Sequence, residues 1–319
     1  MHLFLKRALT ALAAAGIMAS SACAATGGMP DELNIVYVKA PFNLQNMVLK
    51  ERGMLEKAFE KYGTRVKWHT ITSGAKQAQA MAAGSIDVSA VMNTASFLMG
   101  NGAGSTIYIA DGVAHPTDTF AIVGPKGKTL SIKELRGKKV AGPRGTVLHQ
   151  LLVAALKKEG MTINDVQFIS MDPAPALSAL LTGNADAALL AASAVIKAQE
   201  NGCKVITTAR GLVNVNLVLT ASKSFAQDNP DALKLVVATH REALAWIHKN
   251  AKAAVELGAK EHGISVKDAQ TLADWSHYYS TLTDKDIEGL KLDQQFLLEN
   301  GMMQKPVDVE KLVLPTAKQ

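Results

Sequence analysis

Two short segments of the chain combine hydroxyls, a glycine and the expected start of a helix. They are 72–74, Thr-Ser-Gly, and 144–146, Arg-Gly-Thr. A helix start leaves backbone N–H groups without intrahelical partners and carries the positive end of the helix dipole. With a hydroxyl alongside, such a turn suits an oxyanion. Thr72, Ser73, Gly74, Gly145 and Thr146 are therefore candidate ligand-binding residues, although plain helix capping would use the same N–H groups. Lys39 and Arg144 can add full positive charge. Asn93, Thr94, Asp172 and Ser193 stand at the corresponding turns of other strand-to-helix units. His149, three residues after Thr146, can face the same place. Thr119 and Asn214 lie on two extended connecting stretches and complete the candidate set.

The remaining reactive residues form no catalytic set. His69 falls in a strand-like run, and His240 and His248 share one long helical stretch. No two histidines have the spacing that places a zinc pair on one helix face. GxSxG, P-loop and GxGxxG signatures are absent. There are two cysteines, Cys23 and Cys203, which excludes a disulfide-stapled scaffold or a four-cysteine zinc site. Cys203 follows Gly202 and reads as a small core or loop residue. Asp87 and Asp186 each begin a strand after a helix-stopping glycine, which points to turn-making rather than to a catalytic carboxylate pair. No cofactor is expected.

Those candidate turns need elements to hold them. Val66-Lys67-Trp68-His69-Thr70-Ile71 alternates like a half-buried strand, and 33–38 and 86–91 also read as strands. Helices are expected over 44–62, stopped by Gly63, and from Gly74 to about Ala83, stopped by Gly84. The same grammar then returns. Segment 166–171 matches 66–71, Asp172-Pro173-Ala174 matches Thr72-Ser73-Gly74, and 183–188 matches 84–89. Two similar α/β lobes follow, each a mainly parallel sheet flanked by helices. Downstream, Pro230 opens a helix, Ser265 and Thr283 cap two more, and all are expected to cover the first lobe. The expected division is 33–115 with 220–319 as lobe one, 122–210 as lobe two, and hinge crossings at 116–121 and 211–219. Ligands bind beyond the carboxyl ends of parallel strands, so the candidate turns would face one cleft between the lobes.

Composition agrees with a packed chain. Hydrophobic residues make up 48% and charged residues 19%, enough apolar content for a sizeable core. The formal charge of +6 is spread out, with no basic run interleaved with aromatics, so nucleic acid is not an expected partner. Lys6-Arg7, an apolar stretch 8–18 and Ala22-Cys23-Ala24 have the order of a secretory leader. Cleavage after Ala24 is the expected outcome; lipid attachment at Cys23 is the alternative.

Three further segments carry a resemblance. Ser73-Gly74 opens a helix that ends in Ala83-Gly84-Ser85-Ile86-Asp87. Leu135-Arg136-Gly137-Lys138-Lys139-Val140-Ala141 enters the second lobe, and Gly145-Thr146-Val147-Leu148-His149 follows it. In this order, and over nearly all of 33–300, the chain resembles the periplasmic solute-binding proteins of ABC importers. Within them it is most similar to the sulfonate, taurine and nitrate-binding group, of the type II periplasmic binding protein kind. The resemblance implies a monomeric, non-enzymatic periplasmic receptor that closes over a small organic anion. A sulfonate such as an alkanesulfonate or taurine is the implied ligand, delivered to an ABC permease in the inner membrane. Nitrate, a thiamine-precursor pyrimidine, or an enzyme on the same fold are the alternatives. One stretch departs from the group: 188–193 reads Ala-Leu-Leu-Ala-Ala-Ser where bulky aromatics often stand. That departure predicts a bare wall and a roomier or reshaped cleft.

Overall fold

The computed structural model describes residues 28–318. The expected leader and the alternative at Cys23 lie outside them. The first part of the chain runs β1 (Glu32–Tyr37), α1 (Leu44–Glu51), α2 (Met54–Glu60), β2 (Arg65–Thr70), α3 (Gly74–Ala82), β3 (Val88–Asn93), α4 (Thr94–Gly102) and β4 (Ile107–Ala114). The second part runs β5 (Phe120–Lys126), β6 (Lys139–Gly142), α5 (Val147–Lys158), β7 (Gln167–Ser170), α6 (Pro173–Leu181), β8 (Ala187–Ala191), α7 (Ser193–Glu200) and β9 (Cys203–Thr208). The chain then continues through β10 (Leu217–Ser222), α8 (Lys223–Asp228), α9 (Pro230–Lys249), α10 (Ala251–His262), α11 (Val266–Ser276) and α12 (Asp284–Glu299).

The strands form two five-stranded sheets, ordered β2-β1-β3-β10-β4 and β7-β6-β8-β5-β9. The two orders are equivalent, strand for strand. In each sheet the first three strands are parallel, and the fourth is antiparallel to both of its neighbours. The sequence pattern explains the positions. The central strands β3, β8 and β10 are almost wholly buried and read as unbroken apolar or small-residue runs. The edge strands β2 and β7 contain only exposed and half-buried residues.

The repeat extends to side-chain chemistry. Asp87 accepts a 2.7 Å hydrogen bond from the Asn34 N–H on β1, and Asp186 accepts one of 2.9 Å from the Lys139 N–H on β6. Both carboxylates tie the amino end of one strand to the loop entering the next. They lie at the end of each sheet opposite the helix starts, in the structural role the sequence suggested.

Three features differ from the sequence reading. Helix 44–62 is two helices, because Gly53 adopts a left-handed φ of 59° and turns the chain between α1 and α2. The passages between sheets occupy 115–119 and 209–216, and they are not extended strands. The first contains a 3₁₀ turn at Thr117–Thr119. Each passage delivers the chain directly into the antiparallel fourth strand of the next sheet, so Phe120 and Leu217 already belong to β5 and β10. Finally, the last helices do not cover the first sheet alone. Helix α9 packs on α1 and α2, but α12 packs on α4 and also reaches α5 of the other lobe. The expected caps are present: Ser265 and Thr283 each accept a hydrogen bond from a first-turn N–H.

Helix α9 is fixed to the first sheet by a buried ionic cluster. Asp111 on β4 accepts hydrogen bonds from His240 Nδ1 at 2.8 Å and from Arg241 Nε and Nη2 at 3.0 and 2.8 Å. Arg241 also donates to the Thr316 carbonyl at 2.6 Å, which binds the C-terminal tail to the same strand. Among the described residues, no helix is long and apolar enough to cross a membrane.

The α12–α5 contact carries a testable consequence. Gln150 of α5 donates a 3.0 Å hydrogen bond to the buried Asp293 carboxylate of α12, and burial pushes that carboxyl up to about 7. A folded-state value above the ordinary 3.8 means that this group's contribution is whole at low pH and is lost as pH rises through 7. Asn at this position stays neutral and still accepts from Gln150. Asp293→Asn should therefore leave stability near pH 4 unchanged and raise it at pH 8 by an amount on the order of a few kcal/mol, read by urea denaturation at the two pH values.

Candidate functional site

The carboxyl ends of both sets of parallel strands face each other, and the helices that follow them begin there. A cavity of about 80 Å³ lies between them. This is roughly half the ~150 Å³ of a cavity that accepts benzene, so it suits a small molecule. The first lobe contributes Thr72, Ser73, Gly74, Gln77 and Asn93; the second contributes Thr146 and Val147. The rest of the wall is apolar, from Val38 and Val91 on one side to Phe120 and Leu148 on the other. A larger space of about 370 Å³ adjoins it, shares Ser73 and Pro143, and is bordered by Lys76, Arg144 and Asp172.

Close backbone packing brings the helix starts together. Gly74 opens α3 directly against the start of α4. A Cβ at Gly74 would lie 2.5 Å from Ser96 Oγ and 2.6 Å from Asn93 Nδ2, closer than any real side chain sits. Asn93 Oδ1 accepts the Ser96 N–H at 2.9 Å, capping α4, and the Val147 N–H at 3.1 Å, at the start of α5 in the other lobe. Ser96 Oγ donates across the same junction to the Gly145 carbonyl at 2.8 Å. Gly145 itself has a φ of 70°. Ser73 precedes α3 without capping it, is 6% exposed and lines the cavity. Its hydroxyl has no protein partner among the described residues, so it is available to a ligand.

The remaining candidates are placed elsewhere. Thr94 is buried beneath the junction, with its N–H bonded to the Asn216 carbonyl at 3.1 Å. Thr119 bonds the Pro116 carbonyl at 2.8 Å and borders a different hollow, between α7 and α11. Ser193 begins α7 beyond the cavity wall, and Asn214 is exposed, with its amide against Gly289 of α12. Lys39 points to α10, where it donates to the Glu261 carbonyl at 2.6 Å and sits 3.3 Å from the carboxylate. Asp172 is paired with Lys76 at 2.8 Å across the mouth of the cleft. Lys39, Thr94, Asp172 and Asn214 each meet a group distant in sequence, which no local pattern announces, whereas Thr119 is held locally by Pro116.

Arg144 and His149 form a stack behind the cavity. The Arg144 guanidinium lies 4.8 Å from the Phe168 ring centroid, and His149 is parallel to the same ring at 4.9 Å. His149 Nδ1 accepts the Gly145 N–H at 3.4 Å, which requires an unprotonated nitrogen. Burial first, and then the Arg144 charge, lower the His149 pKa to about 4. The sequence missed Ser96, Gln77 and Phe120. Ser96 had one local signal, its position three residues after a capping Asn. The wall expected to be bare is not open, because Phe120 and Leu217 from the two antiparallel strands fill beside Ala191. The cleft is reshaped rather than roomier. Among the described residues, no group of three or more His, Cys, Asp or Glu could hold a metal ion.

A depressed folded-state pKa makes the His149 contribution whole above pH 6.5 and draws it down as pH falls toward 4. Replacing His149 by Gln should flatten the stability profile across that window, measured as the urea midpoint at half-unit pH steps. An unchanged slope would mean that His149 takes up its proton equally in the folded and unfolded chain.

Comparison with known proteins places this geometry. A putative aliphatic sulfonates-binding protein of Escherichia coli (strain K12) is 25% identical over 96% of this chain and 96% of its own. The alkanesulfonate-binding protein SsuA from Xanthomonas axonopodis pv. citri, solved with MOPS bound, superposes with a TM-score of 0.78 at 20% identity, covering 90% of this chain and 99% of that one. The desulfurization enzyme DSZB shares the fold at a TM-score of 0.64 and 16% identity, over 90% of this chain and 97% of its own. At these identities the solved structures establish the shared two-lobed fold. A family model described as NMT1/THI5 like matches residues 51–254, well over half of the sequence, and the chain belongs to that family.

Proposed function

We propose that the protein is the solute receptor of an ABC importer. It closes its two lobes over a small sulfonate and presents the closed form to a membrane permease. The observation that carries this reading is the convergence of helix starts from both lobes on one small cavity, with the free Ser73 hydroxyl between them. Such N–H groups suit a tetrahedral oxyanion, and the two lobes together can surround it as neither could alone. The names of the E. coli relative and of the Xanthomonas structure support a sulfonate in particular.

The lining also favours a receptor over an enzyme. Among the described residues, no His, Cys, Lys, Arg, Asp or Glu borders the small cavity. Neutral donors and an apolar wall can hold an alkanesulfonate, but they offer no acid, base or nucleophile other than hydroxyls. The same lining has no carboxylate to meet an ammonium group, which favours a plain alkane tail over taurine. The sequence's leader-like start agrees with the export that a periplasmic receptor needs.

Calorimetric titration of residues 25–319 with ethanesulfonate, taurine, nitrate and a pyrimidine tests the proposal. Ethanesulfonate should bind, and Ser73→Ala should weaken it by about tenfold, the loss of one hydrogen bond to a charged group, while the unliganded melting point stays put. Recovery of chemically altered sulfonate after incubation would overturn the receptor reading, and binding of the pyrimidine alone would overturn the sulfonate.

A further inference from the structure

We infer that Asn93 couples occupation of the cavity to closure of the two lobes. The inference rests on the receptor reading for the identity of the ligand, and on geometry for the coupling. The Asn93 carboxamide oxygen has two hydrogen-bond sites, and both are used. One holds the Ser96 N–H of its own lobe and the other holds the Val147 N–H of the opposite lobe. A carboxamide fixed through its oxygen has its amino group fixed too. Asn93 Nδ2 lies beside Gly74 at the start of α3, and Asn93 borders the cavity. No acceptor engages this Nδ2 among the described residues.

The consequence is a shared orientation. A ligand oxygen at the start of α3 can accept from Nδ2 only when the amide is turned as it is here. The same turn presents Oδ1 to α5. When the lobes part, Val147 leaves Oδ1, and the amide keeps only the Ser96 contact to orient it. Ligand and α5 thus stabilise one arrangement of one side chain, and each strengthens the other's hold. Neighbouring interlobe contacts lack this property. Ser96 Oγ bonds only the Gly145 carbonyl across the junction, and Lys76 pairs with Asp172 outside the small cavity.

Simple helix capping is the competing role, and two substitutions separate the roles. Asn93→Asp keeps a good cap and the acceptor for Val147, but it removes the donor and sets a negative charge beside the anion. Asn93→Ala removes both links. Lobe closure would be followed by small-angle X-ray scattering without ligand, and ethanesulfonate affinity by calorimetry. Asn93→Asp should remain as compact as the parent without ligand, yet bind at least about a hundredfold more weakly. Asn93→Ala should be more open without ligand and should also lose affinity. Parent-like affinity in Asn93→Asp would overturn the inference, as would a parent-like unliganded profile in Asn93→Ala. If the parent binds no sulfonate, the receptor reading fails separately. The scattering of unliganded Asn93→Ala then decides whether the bridge exists, and an unchanged profile rejects it.

Discussion

The architecture depends on the absence of one side chain. At Gly74 the start of α3 meets Asn93 and Ser96 at distances that no Cβ permits. This contact sets how closely α3 and α4 begin, and so where Asn93 lies. Asn93 in turn receives the first N–H of α5. The relative position of the lobes at the cleft is therefore set by backbone packing inside lobe one. A rigid arrangement of N–H groups solvates an anion without reorganising, which is what a helix start offers and a mobile lysine does not.

Charge is managed in a consistent way around this point. Lys39 is taken up by Glu261, Lys76 by Asp172, and Arg144 by the face of Phe168. His149 is held neutral. Full charges thus surround the cavity without bordering it. Each pair is more than a third exposed on at least one side, or spans the open mouth, so its energetic weight is small. They leave the cavity lined by neutral polar groups and apolar side chains. The mildly basic composition of the chain says nothing about the site, because the cations near it are engaged elsewhere.

Much of this was legible in the sequence, and the boundary is physical. The two lobes, the strand ends and the turns at 72–74 and 144–146 could be read because strand alternation, helix stops and turn chemistry are local. Asp87 and Asp186 could be read because both follow the same Gly-x-x pattern. The break at Gly53 also had a local sign, a glycine inside a long apolar pattern, but the surrounding periodicity masked it. The fates of Lys39, Thr94, Asp172 and Asn214 could not be read. Their partners lie on α10, on the passage before β10, on α3 and on α12, and docking chooses them. The filling of the wall beside Ala191 was hidden for the same reason. Phe120 and Leu217 are strand residues in the sequence, and only the crossed-over topology brings them to the cavity.

The position of β10 makes the two lobes unequal in time. The second sheet is built from one continuous stretch, Phe120 to Thr208, and can be completed as soon as that stretch exists. The first sheet cannot. Its β3 and β4 have no strand between them until 217–222 arrives, after the whole second lobe. A chain made from its N-terminus therefore carries a half-finished sheet with two open edges while the later lobe forms. Pairing β10 with β3 must also close a long loop, which is the slow kind of contact. The part of the molecule that comes first in sequence is the last to be finished, and the cleft exists only from that moment.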